Sequence, residues 1–128
     1  MPLKLILIFL GAGLGGLARY ALTGLIQACF NPLFPIGTLI VNVLGCLAIG
    51  FLTAAFAGPL PLREEYRAGI LVGILGGFTT FSAFGRETFT LAADREYLYA
   101  ALNILLSNTL GLTGVWLGAR LAARIYSP

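Results

Sequence analysis

Four apolar runs, each cut off by a short polar or proline-containing segment, organise this chain. The first extends from about Leu3 to Cys29 and carries one interruption, Arg19, before Pro32 and Pro35 punctuate a loop. The second covers Gly37 to Ala57 and gives way to Gly58-Pro59-Leu60-Pro61 and the charged Arg63, Glu64, Glu65 and Arg67. The third covers Ala68 to Ala93 and is closed by Asp94, Arg95 and Glu96; the fourth runs from Tyr97 to about Leu121, ending among Arg120 and Arg124. A helix needs about 20 apolar residues to cross the hydrocarbon of a bilayer. Each run suffices for one crossing, so the pattern predicts four transmembrane helices over residues 3–29, 37–57, 68–93 and 97–121. The first run is taken as a span and not as a cleaved leader. Arg19 breaks its apolar core, and Ile26-Gln27-Ala28-Cys29 is only a faint cleavage box.

Composition agrees with that reading. Of 128 residues 59% are apolar and 10% charged, and none is His. A soluble domain of this size leaves too much of itself on the surface to hide so much apolar area. Four spans use about 80 residues, which leaves room for ends and turns only, so residues 1–128 are expected to form one all-α, polytopic membrane domain. Disorder and a disulfide scaffold are excluded. Cys29 and Cys46 form no CxxC pair. The net charge of +3 comes from eight basic and five acidic residues without a basic run, which is loop charge and not a nucleic-acid surface. An even number of spans puts both termini on one side. That side holds Lys4, Arg63, Arg67, Arg120 and Arg124 against Arg95 and Arg86 on the other, a modest bias toward termini inside that leaves both orientations open.

Small residues are patterned as well. Gly11 and Gly15, then Gly69, Gly73 and Gly77, then Gly114 and Gly118 recur at four-residue spacing, which lets helix backbones approach closely in lipid. Four short helices enclose little interior, so a homo-oligomer is expected, most simply a dimer.

Materials for catalysis are lacking: there is no His, no acid pair within a span, and no phosphate loop. Transport remains. The third span contains Gly76-Gly77-Phe78-Thr79-Thr80-Phe81-Ser82-Ala83-Phe84, in which paired glycines and paired β-branched threonines are poor helix material. A broken helix near the bilayer midplane is predicted. Its freed carbonyls and amides must be buried in protein or line a wet cavity. Freed carbonyls suit a small hard cation, here a monovalent one, since no carboxylate lies within four residues of Gly76–Thr80.

Phe81 and Phe84 share a helical face, and their ring edges are positive enough to meet an anion; packing aromatics would show the same pattern. Asn42, with Thr38 one turn before it, is either an amide donor to an anion or interhelical glue. Asn103 and Ser107 make a thin polar track on the fourth span, again open to either reading. Arg19 either draws anions to a mouth or snorkels to the interface. Glu87, beside Arg86, either gates or pairs.

Together, Gly15-Gly16-Leu17-Ala18-Arg19-Tyr20, Gly37-Thr38-Leu39-Ile40-Val41-Asn42 and the Gly76–Phe84 segment resemble the Fluc fluoride channels, the small bacterial CrcB family, across essentially the whole chain. The resemblance implies a fluoride-selective channel of the bacterial cytoplasmic (inner) membrane that exports fluoride passively and so lowers its toxicity. It implies an antiparallel homodimer of dual topology with two pores. A structural sodium ion would lie at the dimer interface, held by the backbone carbonyls of Gly76 and Thr79 from each subunit. It further implies a fluoride pathway through Asn42, Phe81, Phe84 and Arg19, extended by Thr38, Glu87, Asn103 and Ser107. Two positions depart from the family pattern, Ala83 and Gly111, where a hydroxyl is frequent. The alternative is a small proton-coupled four-helix exporter of organic cations. That chemistry needs a membrane-buried carboxylate, for which Glu87 is the only candidate.

Overall fold

The computed structural model describes residues 1–126, and they form helices joined by short turns. The order is α1 (Pro2–Ala28), α2 (Ile36–Ala57), α3 (Glu64–Ala68), a π-helical stretch (Gly69–Ile74), α4 (Leu75–Phe78), α5 (Phe81–Ala93) and α6 (Tyr97–Tyr126). From α3 to α5 these make one interrupted span, Glu64–Ala93, so four helical segments are long and apolar enough to cross a membrane. The third begins at Glu64, earlier than the apolar run at Ala68, because Glu64 and Glu65 suit the positive N-terminal end of a helix. The fourth continues past Leu121 to Tyr126, since Arg124 in its last turn suits the negative C-terminal end.

The four-residue glycine pattern becomes a contact. A methyl group on Gly11 would lie 2.5 Å from the Gly69 carbonyl oxygen, and one on Gly77 would lie 2.5 Å from that of Ala12. One on Gly15 would run into the Ile74 carbonyl. Gly69 and Gly73 seat against Leu7 and Ile8 in the same seam. The π-helical stretch, absent from the sequence reading, has a geometric use here. Four residues of α-helix overshoot one turn by about 40°, whereas the wider π turn with its extra residue undershoots. Mixing the two keeps Gly69, Gly73 and Gly77 on one face. On the other side of the molecule α2 packs along α6, where methyl groups on Gly50 and Gly118 would strike the carbonyls of Val115 and Leu47.

The turn between α5 and α6 closes tightly. Glu96 N–H donates to the Leu91 carbonyl and Arg95 N–H to that of Ala92, with Arg95 in the left-handed region at φ 61°. This is the Schellman arrangement, with arginine where glycine is usual. The turn from α1 to α2 is tied by one side chain: Gln27 Nε2 donates to the Asn31 and Phe34 carbonyls, and its Oε1 accepts from Gly37 N–H.

Candidate functional site

The third span breaks at Thr79 and Thr80. Both have extended backbone, with φ, ψ of −87°, 158° and −151°, 119°. The glycines at 76 and 77 stay helical, so the break falls at the β-branched pair beyond them. Gly77 instead serves close packing on Ala12. Local chemistry stops one helix and starts the next. Thr79 N–H and Oγ1 both turn back to the Leu75 carbonyl at 3.0 Å. Thr80 is a capping residue, its Oγ1 accepting from Ala83 N–H at 3.1 Å. An alanine at 83 suffices there, because the backbone makes the bond.

Asn42 holds the break from outside. Its Nδ2 donates to the Thr80 carbonyl at 2.9 Å, and its Oδ1 accepts from Thr80 N–H at 2.8 Å. The amide thus pairs with extended backbone as a neighbouring strand would, and satisfies two groups that lipid could not. Of the two roles that the sequence left as alternatives, the structure shows the interhelical tie. Asn42 ties α2 to the break and still keeps one N–H of its two for another acceptor. Arg19 supports the same region, its Nε donating to the Gly77 carbonyl at 3.0 Å. Beside them Gly45 makes room for the Thr79 methyl, which a side chain at 45 would strike.

Three carbonyls are left over. Among the described residues those of Gly76, Phe78 and Thr79 accept no hydrogen bond; the Thr80 and Ala83 N–H groups, which would reach Gly76 and Thr79 in a continuous helix, have gone to Asn42 and Thr80 Oγ1. Gly76 is also exposed on this single chain. Unpartnered carbonyl oxygens are a donor set for a hard cation. No group of three or more His, Cys, Asp or Glu side chains gathers among the described residues, so any cation here would rely on backbone oxygens.

The break separates two cavities. One, of about 330 Å³, is lined by Asn42, Gly76, Thr79, Thr80, Phe81, Phe84 and Ser107. The Phe81 and Phe84 rings stand 5.4 Å apart between centroids at 46°, with Phe81 81% exposed on the single chain. The other cavity, of about 690 Å³, is lined by Arg19, Thr38, Arg86 and Glu87. Thr80 lines both.

In the second cavity Thr38 Oγ1 donates to Glu87 Oε1 at 2.7 Å, while Glu87 Oε2 is buried without a partner among the described residues. Glu87 therefore joins Thr38, and Arg86 makes no ion pair with it. Asn103 is 2% exposed and lines neither cavity. It reaches Phe84 through a residue that the sequence did not single out. Its Nδ2 donates to Thr88 Oγ1 at 2.9 Å, Thr88 Oγ1 donates to the Phe84 carbonyl at 2.8 Å, and Ser107 Oγ donates to Asn103 Oδ1 at 3.3 Å. Thr88 lies four residues after Phe84 on the same face, the one sequence signal that could have found it.

Comparison with known proteins supplies independent findings. Residues 6–119 match the family model described as CrcB-like protein, Camphor Resistance (CrcB). The chain is 43% identical over 127 residues to the fluoride-specific ion channel FluC of Coxiella burnetii (strain CbuK_Q154), covering 96% of this chain and all of that one. It is 44% identical to the fluoride-specific ion channel FluC of Desulforapulum autotrophicum, over 92% of this chain and 94% of the relative. The same name and 44% identity hold for a Geobacter sulfurreducens protein, over 87% and 90%.

Proposed function

Since the chain belongs to the CrcB family, we propose the route by which it acts as a fluoride-specific ion channel in a bacterial membrane. Fluoride runs down its own gradient between the two cavities and passes the break at Thr80. Fluoride holds its water tightly, so a pore must offer replacement donors yet release the ion quickly. Arg19 raises the anion concentration in the wider cavity and Thr38, beside Glu87, offers a hydroxyl there. The spare N–H of Asn42 and the positive ring edges of Phe81 and Phe84 line the narrow stretch. Ser107, positioned by Asn103 and Thr88, continues the polar side beyond it. Width excludes larger anions. The observation that carries this reading is that Asn42, Phe81, Phe84 and Ser107 line one cavity, reached past the clamped break.

The Gly76 and Thr79 carbonyls of one chain are few for a hard cation, which takes several oxygens. The outward exposure of Gly76 supports completion by the same pair from a second copy, in an antiparallel homodimer with two pores. Gly76 and Thr79 would hold a structural sodium ion there, which when bound adds positive potential along both paths. The setting is the cytoplasmic membrane, where passive exit of fluoride lowers its toxicity.

Fluoride and chloride efflux from liposomes holding the purified chain tests the reading. Fluoride efflux far above chloride is expected, lost in Phe81→Ile and Phe84→Ile with the protein still folded. Undiminished fluoride efflux in both variants would remove the rings from the route. Replacing sodium by a bulky organic cation during purification is expected to weaken the dimer and the efflux together.

A further inference from the structure

The end of α6 carries a groove that fluoride conduction does not use. It has a volume of about 630 Å³ and is lined by Leu47, Trp116, Leu117, Arg120, Leu121 and Arg124. The Arg120 guanidinium lies 5.3 Å from the Trp116 ring centroid, which holds the charged group over an aromatic wall. Arg124 follows one turn later on the same face.

Among the described residues no acidic side chain pairs with these two charges. The chain has five acidic residues: Glu64, Glu65, Glu87, Asp94 and Glu96. Glu64 pairs with Lys4 and Glu65 with Arg63, and Glu87 is held by Thr38. Asp94 and Glu96 lie in the turn at the opposite end of α6. Depth along the helix fits the same picture. A 30-residue helix is about 45 Å long, against about 30 Å of hydrocarbon. Counted from its start, about 20 residues fill the hydrocarbon, which brings Trp116 to its boundary and Arg120 and Arg124 into the headgroup layer. The groove therefore joins an apolar wall of Leu47, Leu117 and Leu121 to a cationic mouth at the level of lipid phosphates.

We propose that this groove binds an anionic phospholipid, its phosphate held by Arg120 and Arg124 and its upper acyl chain laid along Leu47, Leu117 and Leu121. Guanidinium forks match phosphate oxygens two at a time, and basic sites beside membrane helices favour anionic headgroups. The proposal needs only that the chain is embedded in a bilayer, so it stands apart from the fluoride route.

Trp116 is the only tryptophan of the chain and a built-in probe. The full chain is reconstituted in phosphatidylcholine bilayers, and its fluorescence is read as brominated phosphatidylglycerol or brominated phosphatidylcholine replaces part of the lipid. The anionic lipid is expected to quench with a preference of roughly fivefold per arginine. Arg120→Gln/Arg124→Gln is expected to lose that preference while keeping fluoride efflux, which reports its folding. Should the double variant fail to conduct, each single variant carries the comparison, with a partial loss expected. Arg63→Gln, which removes a charge near the same membrane face but outside the groove, is expected to leave the preference intact. Equal quenching by the two lipids overturns the proposal. So does an equal loss in Arg63→Gln, which would make the effect diffuse surface charge. Abolition by millimolar inorganic phosphate would point to a soluble anion, and no quenching by either lipid to a groove covered by a second copy; each also overturns it.

Discussion

The two halves of the third span are built from opposite materials. Before the break, Glu64–Phe78 lies against α1 on a seam of glycines, backbone on backbone, with Gly15 facing Ile74 and Gly77 facing Ala12. After it, Phe81–Ala93 is joined to its neighbours by side-chain hydrogen bonds: Thr38 to Glu87 from α2, and Asn103 to Thr88 from α6. Polar side chains enter this half only at its two ends, Lys4 to Glu64 and Arg19 to the Gly77 carbonyl, and the close backbone packing between them resists both water and movement. Polar links between thinly packed elements leave room for an ion and supply the groups to replace its water. The sealed half positions the break and the polar half borders the two cavities, so in the proposed route the same helix serves as wall and as pathway.

Substitutions should separate the halves. Gly15→Ala puts a methyl into the Ile74 carbonyl, where only backbone could give way. A cost at or above the upper end of about 1–3 kcal/mol is expected, seen as loss of monodisperse protein on size exclusion. Gly85→Ala, in the polar half, meets open space within the chain and is expected to be neutral or slightly stabilising. If the two behaved alike, the contrast would be wrong. Gly45→Ala acts at the junction, where its methyl would strike the β-branched, stiff Thr79. Folded protein with fluoride efflux reduced roughly tenfold, equivalent to about 1.4 kcal/mol on the barrier, is expected in a liposome assay. The smallest loss of efflux belongs to Thr38→Val, which removes one hydrogen bond to Glu87. A bond of that kind contributes about 1 kcal/mol, so efflux should fall only a few-fold with the melting temperature nearly unchanged.

The sequence reading went furthest where one residue type has one physical meaning in lipid. Four apolar runs had to be helices, and glycines four apart had to be contacts. The break was legible from Gly76 to Thr80, but the glycines drew attention one turn too early. A glycine pair can weaken a helix or let another backbone approach, and sequence alone does not separate the two; here Gly77 does the second. Asn42 was readable as an expensive buried amide, yet its partner lies 38 residues away, and only packing could show that it holds Thr80 at both ends. Thr88 passed as an ordinary helical threonine, because its role depends on Asn103 across the interface. The π-helical stretch left no local signal, since it answers to the spacing of contacts with α1 and not to its own residues. Cys46, against which the departure at Gly111 packs, likewise gains its meaning only from the neighbouring helix.

Everything about the proposed route depends on the amide clamp that holds the third span's break at Thr80. The most direct test is fluoride efflux from liposomes containing Asn42→Ala, measured with a fluoride electrode beside the unaltered chain at equal protein density. Removing both hydrogen bonds to Thr80 leaves its backbone groups without partners, a loss of about 1–3 kcal/mol for each. Efflux reduced at least tenfold in protein that still inserts and runs as the same oligomer is the expected result. Efflux equal to that of the unaltered chain would contradict a pathway organised around the break.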